Sequence, residues 1–285
     1  MLRVRALAFL FAPLSVALSI GEPTSILPET IVVPSGNLQL KGLLWKPNGP
    51  GPFPTVLFNH GSGGADADHT AGLPITEAAE KLAPLFLKHG YAFLYLFRRG
   101  QGLSGDQGPF MQDILRQEEA ARGKQARQHL QYLLATTDHL DDVMAALSFL
   151  KTAPAIDAKR IAIAGHSFGG QVTLLAAERD NTLRAAVTFA AAAGSWERSP
   201  ELRERLRAAA GKTTAPIMLV QAANDYGTAP SQELAAELRR LHKSYVLKIY
   251  PPVGQTSDDG HNFLYLGIPQ WEHDVFGFLD EHVMR

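Results

Sequence analysis

Ser167 lies between two glycines in Gly165-His166-Ser167-Phe168-Gly169, and the residues on either side define its setting. Ile161-Ala162-Ile163-Ala164 before it reads as a buried strand, and Gln171 to Glu178 after it is a good helix former. Joining the two with so few residues forces the central residue into a strained conformation. Its side chain then stands clear of the sheet, and a Cβ at Gly165 or Gly169 would strike the neighbouring strand or helix. Ser167 would thus sit at a helix N-terminus, where free N–H groups and the dipole favour negative charge. The chemistry this suggests is nucleophilic catalysis by a hydroxyl.

A Ser hydroxyl needs a base to take its proton, and the base needs a carboxylate to fix its tautomer. In an open α/β sheet such groups collect at the carboxyl ends of strands. Downstream of Ser167, Asp225 follows the strand Pro216 to Gln221, whereas Asp180 ends a helix and Glu197 opens one. His261 lies in the stretch after the strand Tyr245 to Tyr250, a loop from Pro251 to His261; His242, His273 and His282 fall on helices. The expected catalytic set is therefore Ser167, Asp225 and His261. The oxyanion needs preorganised N–H donors. Phe168 supplies one from directly after the nucleophile. The second is expected in His60-Gly61-Ser62-Gly63-Gly64, with Ser62 as the donor and Gly61 as the alternative. Gly61 and His166 are expected to line the substrate site, with the Phe168 side chain beside them, and the His60 side chain to buttress its loop. Arg98-Arg99 reads as a solvated or loop-pairing charge pair rather than an anion site. His69 with Asp66 and Asp68 matches no metal-ligand spacing and reads as a polar loop.

The elements that must position these groups alternate in type. A hairpin is expected from Thr30 to Trp45, turning at Ser35-Gly36-Asn37. Strands follow at Thr55 to Asn59 and Tyr91 to Phe97, then those before Ser167, at Ala185 to Ala190 and before Asp225 and His261. Helices lie between them: Pro74 to His89 with a kink at Pro84, Asp138 to Lys151 with Asp138 as N-cap, a peripheral Ser195 to Ala210, Ser231 to His242, and Trp271 to Met284. The pattern implies one α/β domain, a mostly parallel central sheet covered on both faces. Residues 106–137 exceed what the sheet needs. They are polar and Ala-rich with a thin stripe of Ile114, Leu115, Leu130, Leu133 and Leu134, and read as a helical cap insertion resting on the domain near the pocket mouth.

Composition narrows the function. The 285 residues are 46% hydrophobic, ample for a core, and 27 basic residues against 28 acidic ones imply no nucleic-acid partner. Cys is absent, which excludes disulfides, thiolate metal sites and a Cys nucleophile. Met1-Leu2-Arg3-Val4-Arg5, the apolar run Ala6 to Ile20 broken by Pro13, and Ala17-Leu18-Ser19 resemble a signal peptide covering 1–19, which makes 20–285 the mature domain. The expected location is secreted or periplasmic, with no stable membrane association after cleavage.

Asn59-His60-Gly61-Ser62-Gly63, Arg99-Gly100-Gln101-Gly102-Leu103-Ser104, the segment around Ser167, Asn224-Asp225 and Gly260-His261 together resemble the α/β-hydrolase superfamily, from about Leu38 to His282. Within it the chain looks like the dienelactone hydrolases and their prolyl-oligopeptidase-like relatives, and Ser, Asp, His is the superfamily's chain order. The resemblance implies an α/β-hydrolase fold and a cofactor-free hydrolase. True dienelactone hydrolases use Cys where this chain has Ser167, which moves the expected substrate to a small-molecule carboxylic ester. A peptidase or amidase shares the same acyl-enzyme chemistry, and a non-catalytic binding protein could share the fold.

Overall fold

The computed structural model describes residues 26–63 and 66–285. The segment 1–19 read as a signal peptide, and Gly64 of the glycine-rich loop, lie outside the described residues. Eight strands form the central sheet in the order β1-β2-β6-β3-β7-β8-β9-β10. The hairpin β1 (Glu29–Ser35) and β2 (Leu38–Trp45) is antiparallel, and β2 runs antiparallel to β6 (Ala92–Leu96). From there every pairing is parallel, through β3 (Phe53–Asn59), β7 (Ile156–His166), β8 (Ala186–Phe189), β9 (Ile217–Ala222) and β10 (Tyr245–Tyr250). A two-stranded ribbon, β4 (His69–Thr70) and β5 (Leu73–Pro74), stands apart.

Parallel strands need helical crossovers, and these leave an apolar layer on each face. One face packs against α1 (Ile75–Lys88) and α9 (Ile268–Val283) through residues such as Leu82, Phe86, Trp271 and Phe276. The other packs against α3 (Asp138–Thr152), α4 (Phe168–Arg179), α5 (Pro200–Lys212) and α6 (Ala229–Arg240) through Leu147, Val172, Leu206 and Leu238. α2 (Met111–Thr136) lies outside α3 and α4, and the short α7 (Ser257–His261) and α8 (Phe263–Leu266) follow β10. Among the described residues no helix is long and apolar enough to cross a membrane.

Several expectations change in detail. α1 runs continuously with Pro84 inside it. Thr137, not Asp138, precedes α3; the Asp138 carboxylate pairs with Arg99 at 3.1 Å instead. The peripheral helix begins at Pro200, not Ser195. Pro200 occupies the first turn and Ser199 caps it, while 190–198 form turns that bury Trp196. α7 replaces part of the expected loop, because Thr256 and Asp259 form a reciprocal capping box. α2 is two helical segments meeting at Gly123, whose φ of 86° and ψ of 177° only glycine adopts readily. Its apolar stripe is only partly inward: Leu115 is buried and Leu130 and Leu134 pack on the core, but Leu133 is exposed.

Candidate active site

Ser167 is the single residue between β7 and α4, with φ 56° and ψ −118°. Such a conformation is costly for a residue with a Cβ and persists only where the surroundings over-determine it. Here they do. The Ser167 N–H donates to the Phe189 carbonyl at 2.8 Å, and a Cβ at Gly169 would lie 2.0 Å from the Asn59 carbonyl oxygen and 2.4 Å from that of His60. A Cβ at Gly165 would lie 2.4 Å from the Gly169 carbonyl oxygen. Strand and helix meet too closely for any side chain at either glycine, as expected from the sequence.

β9 and β10 bring the two downstream groups to the same end of the sheet. Ser167 Oγ lies 2.8 Å from His261 Nε2, and His261 Nδ1 lies 2.8 Å from Asp225 Oδ1. A carboxylate only accepts, so Nδ1 carries the proton and Nε2 is left to accept from the Ser167 hydroxyl. The Asp225 carboxylate is buried and both its oxygens accept hydrogen bonds. Its Oδ1 also accepts the Tyr226 N–H at 2.6 Å, and its Oδ2 accepts Gln221 Nε2 at 2.7 Å. Gln221 also donates to the Gly227 carbonyl, so a strand residue pins both ends of the turn that presents Asp225. Asn224 ties the same turn to the Val253 and Thr256 carbonyls at 2.8 Å each.

His166 is buried, lines the pocket and donates from Nε2 to the His261 carbonyl at 2.8 Å, fixing the backbone that carries the His261 ring. Burial, then the neighbouring His261, lowers its pKa to about 3, so it stays neutral. The Tyr226 ring lies 4.5 Å from that of His261, and burial followed by the bond to Asp258 raises its hydroxyl pKa to about 12.

Gly61 and Ser62 line the pocket, and a Cβ on Gly61 would come 3.6 Å from the Ser167 Cβ. Phe168 is the first residue of α4, so its N–H is one of the first-turn donors that no helix carbonyl can meet. Its side chain is not at the pocket. It is buried in the core, edge-on to His139 at 5.2 Å. His60 buttresses its loop as expected, its ring stacked on Tyr95. Of the two expected settings for the pair, solvated or loop-pairing, Arg98 takes the second: it is completely buried and its guanidinium donates to the His60 and Gly61 carbonyls. Arg99 forks onto the buried Asp142 at 2.7 and 3.0 Å. His69 pairs with Asp66 at 2.8 Å in a polar loop.

These groups open into a cavity of about 600 Å³. Its walls are polar: Gln112, Arg127 and Gln131 from α2, Gln171 from α4, Ser195 and Arg198 from the turn after β8. The apolar stripe of α2 is therefore not what faces the pocket.

The dienelactone hydrolase family model matches residues 40–264, a span that holds every group just described. The chain belongs to the dienelactone hydrolase family. It has the α/β-hydrolase fold. The chain is 27% identical over 161 residues to the quorum-quenching protein AidA of Acinetobacter baumannii, covering 56% of this chain and 43% of that protein. Its fold matches an acylaminoacyl peptidase of Pyrococcus horikoshii with TM-score 0.61 and 19% identity, over 89% of this chain and 41% of the peptidase. It also matches a putative dienelactone hydrolase of Klebsiella pneumoniae with TM-score 0.63 and 17% identity, over 92% of this chain and 100% of that one. The chain thus spans under half the length of AidA and of the peptidase. At these identities the two solved structures share the fold.

Proposed function

We propose that this protein is a serine esterase acting on small, polar carboxylic esters. The observation that carries the reading is the unbroken line from Ser167 Oγ to His261 Nε2 and from His261 Nδ1 to Asp225, 2.8 Å at each step. In the reaction, Ser167 Oγ attacks the ester carbonyl while His261 Nε2 takes its proton, and Asp225 stabilises the imidazolium. The oxyanion is held by the N–H groups of Phe168 and Ser62. Collapse breaks the ester C–O bond, and His261 returns the proton to the departing alcohol. Water, deprotonated by the same nitrogen, then attacks the acyl-enzyme and releases the acid. Two observations support the substrate class. The family takes its name from a lactone, an internal ester, and the cavity walls present amides, hydroxyls and guanidinium groups where a fatty chain would need aliphatic ones.

The test pairs labelling with turnover. A fluorophosphonate probe should modify wild-type protein at Ser167 and leave Ser167→Ala unlabelled. That variant should keep its fold and lose about 10⁴-fold or more in kcat. Wild-type turnover by folded Ser167→Ala would refute the assignment. Matched ester and amide substrates decide between esterase and peptidase, and short polar esters should be cleaved faster than long-chain ones.

A further inference from the structure

Arg98 is a charge buried at high cost, and nothing in the proposed reaction uses it. An isolated cation in a protein interior is unfavourable unless its donors are met. Here both Nη groups are met by main-chain oxygen, while Nε is buried without a partner. Nη1 donates to the His60 carbonyl at 2.7 Å and Nη2 to the Gly61 carbonyl at 2.8 Å. His60 is drawn into the same arrangement. Its Nε2 accepts the Arg98 backbone N–H at 3.2 Å, so Nδ1 carries the proton and donates to the Gly61 carbonyl at 2.8 Å. One carbonyl oxygen thus receives a cationic donor and a neutral one.

The Gly61 carbonyl and the Ser62 N–H belong to a single peptide unit. That unit is planar and trans, so the two groups point in opposite directions. Fixing the oxygen toward the buried guanidinium turns the N–H away from the core, on the side where Gly61 and Ser62 line the cavity beside Ser167. A cation on the oxygen also draws electron density from the amide nitrogen, making the N–H a stronger donor. Burial lowers the Arg98 pKa only to about 10, so the charge is present at neutral pH. The same guanidinium lies 5.3 Å from the buried Phe168 ring centre.

We propose that Arg98 is a positioning residue of this site: it grips the Gly61–Ser62 peptide by its carbonyl and thereby aims and strengthens the Ser62 N–H as an oxyanion donor. This rests on the esterase reading above and explains why a cation lies beneath a glycine-rich loop with main-chain oxygens as its acceptors.

The experiment compares wild type with Arg98→Met, Arg98→Lys and His60→Phe, with rates expressed per fluorophosphonate-titratable site. Arg98→Met should lower kcat by about 10²-fold with KM within about threefold, as expected for loss of one oxyanion donor. Arg98→Lys, which keeps the charge but not the fork, should recover part of the loss. His60→Phe, which keeps Arg98 but removes the neutral donor and the acceptor of the Arg98 N–H, should cost about tenfold in kcat. The dissociation constant of a trifluoromethyl ketone, whose adduct carries the same oxyanion, should weaken in step with kcat/KM across the series. A purely structural role would lower the number of titratable sites while leaving the rate per site and the ketone affinity unchanged, and that result overturns the proposal. If Arg98→Met does not fold, unchanged rates per site in both Arg98→Lys and His60→Phe overturn it equally. Wild-type protein that neither labels nor turns over would instead overturn the esterase reading, and this one with it.

Discussion

Replacing His139 by Phe should remove about 2 kcal/mol of acid sensitivity from this protein, a magnitude that follows from where the ring sits. His139 is buried, its Nδ1 has no partner, and burial together with Arg98 and Arg99 holds its pKa far below the ordinary value. In the unfolded chain a His takes up a proton near pH 6.5. The folded form does not, so below that pH the unfolded state binds more protons and stability falls as pH falls. Between pH 7.5 and 5.0 the free energy lost is RT ln(1 + 10^1.5) less a negligible term at the upper pH, about 2 kcal/mol for one such residue. His60 and His166 are buried with their pKa values lowered in the same direction, so the three together lose about 6 kcal/mol over this range. That is comparable with the entire stability of an ordinary domain, ~5–15 kcal/mol. The carboxylates that are held down by partners, such as Asp180 and Asp274, titrate below this window. Urea unfolding of wild type and His139→Phe at both pH values is the assay. Phe keeps the edge-on contact with Phe168. The fall in midpoint from pH 7.5 to 5.0 should be smaller in the variant by about 0.7 M, taking an m-value of about 3 kcal/mol/M. Equal falls would show that His139 does protonate in the fold, and the burial argument would fail with it.

Two further predictions concern the frame of the site. Gly169→Ala should lower stability by more than about 3 kcal/mol, read as Tm or soluble yield, because its Cβ meets two backbone oxygens that cannot yield; a near-wild-type Tm would contradict the packing described. If α2 acts as a cap, Arg127→Ala and Gln131→Ala should change kcat/KM unequally across esters of polar and apolar alcohols, by about tenfold for the polar ones, whereas a uniform effect would leave α2 as an outer cover.

Much of this was legible in the residues. The steric demand at Gly165 and Gly169 is local, so the turn around Ser167 could be read from neighbours alone. Asp225 and His261 followed from strand ends, and strands of continuous apolar residues declare themselves. What stayed hidden depends on long-range pairing. Arg98 finds its acceptors 37 and 38 residues away, and a charged pair after a strand looks solvated until those oxygens are located. Gln221 appears as an ordinary strand residue until Asp225 turns back over it. The exposure of Leu133 follows from the break at Gly123, which resets the helical phase that a single uninterrupted helix would have kept.

That break has a consequence for how such a protein could change. Gly123 is exposed, and an ideal Cβ built on it meets nothing within 4 Å. The segment before it carries Gln112 and the segment after it carries Arg127 and Gln131, so two stretches of pocket wall are joined at a point with no packing obligations. Residues added there would lengthen a surface connection without disturbing the sheet or the groups around Ser167. Gly123 is thus a natural seam for grafting: a loop or a short domain spliced into it would reshape the cavity mouth while the chemistry below kept its geometry.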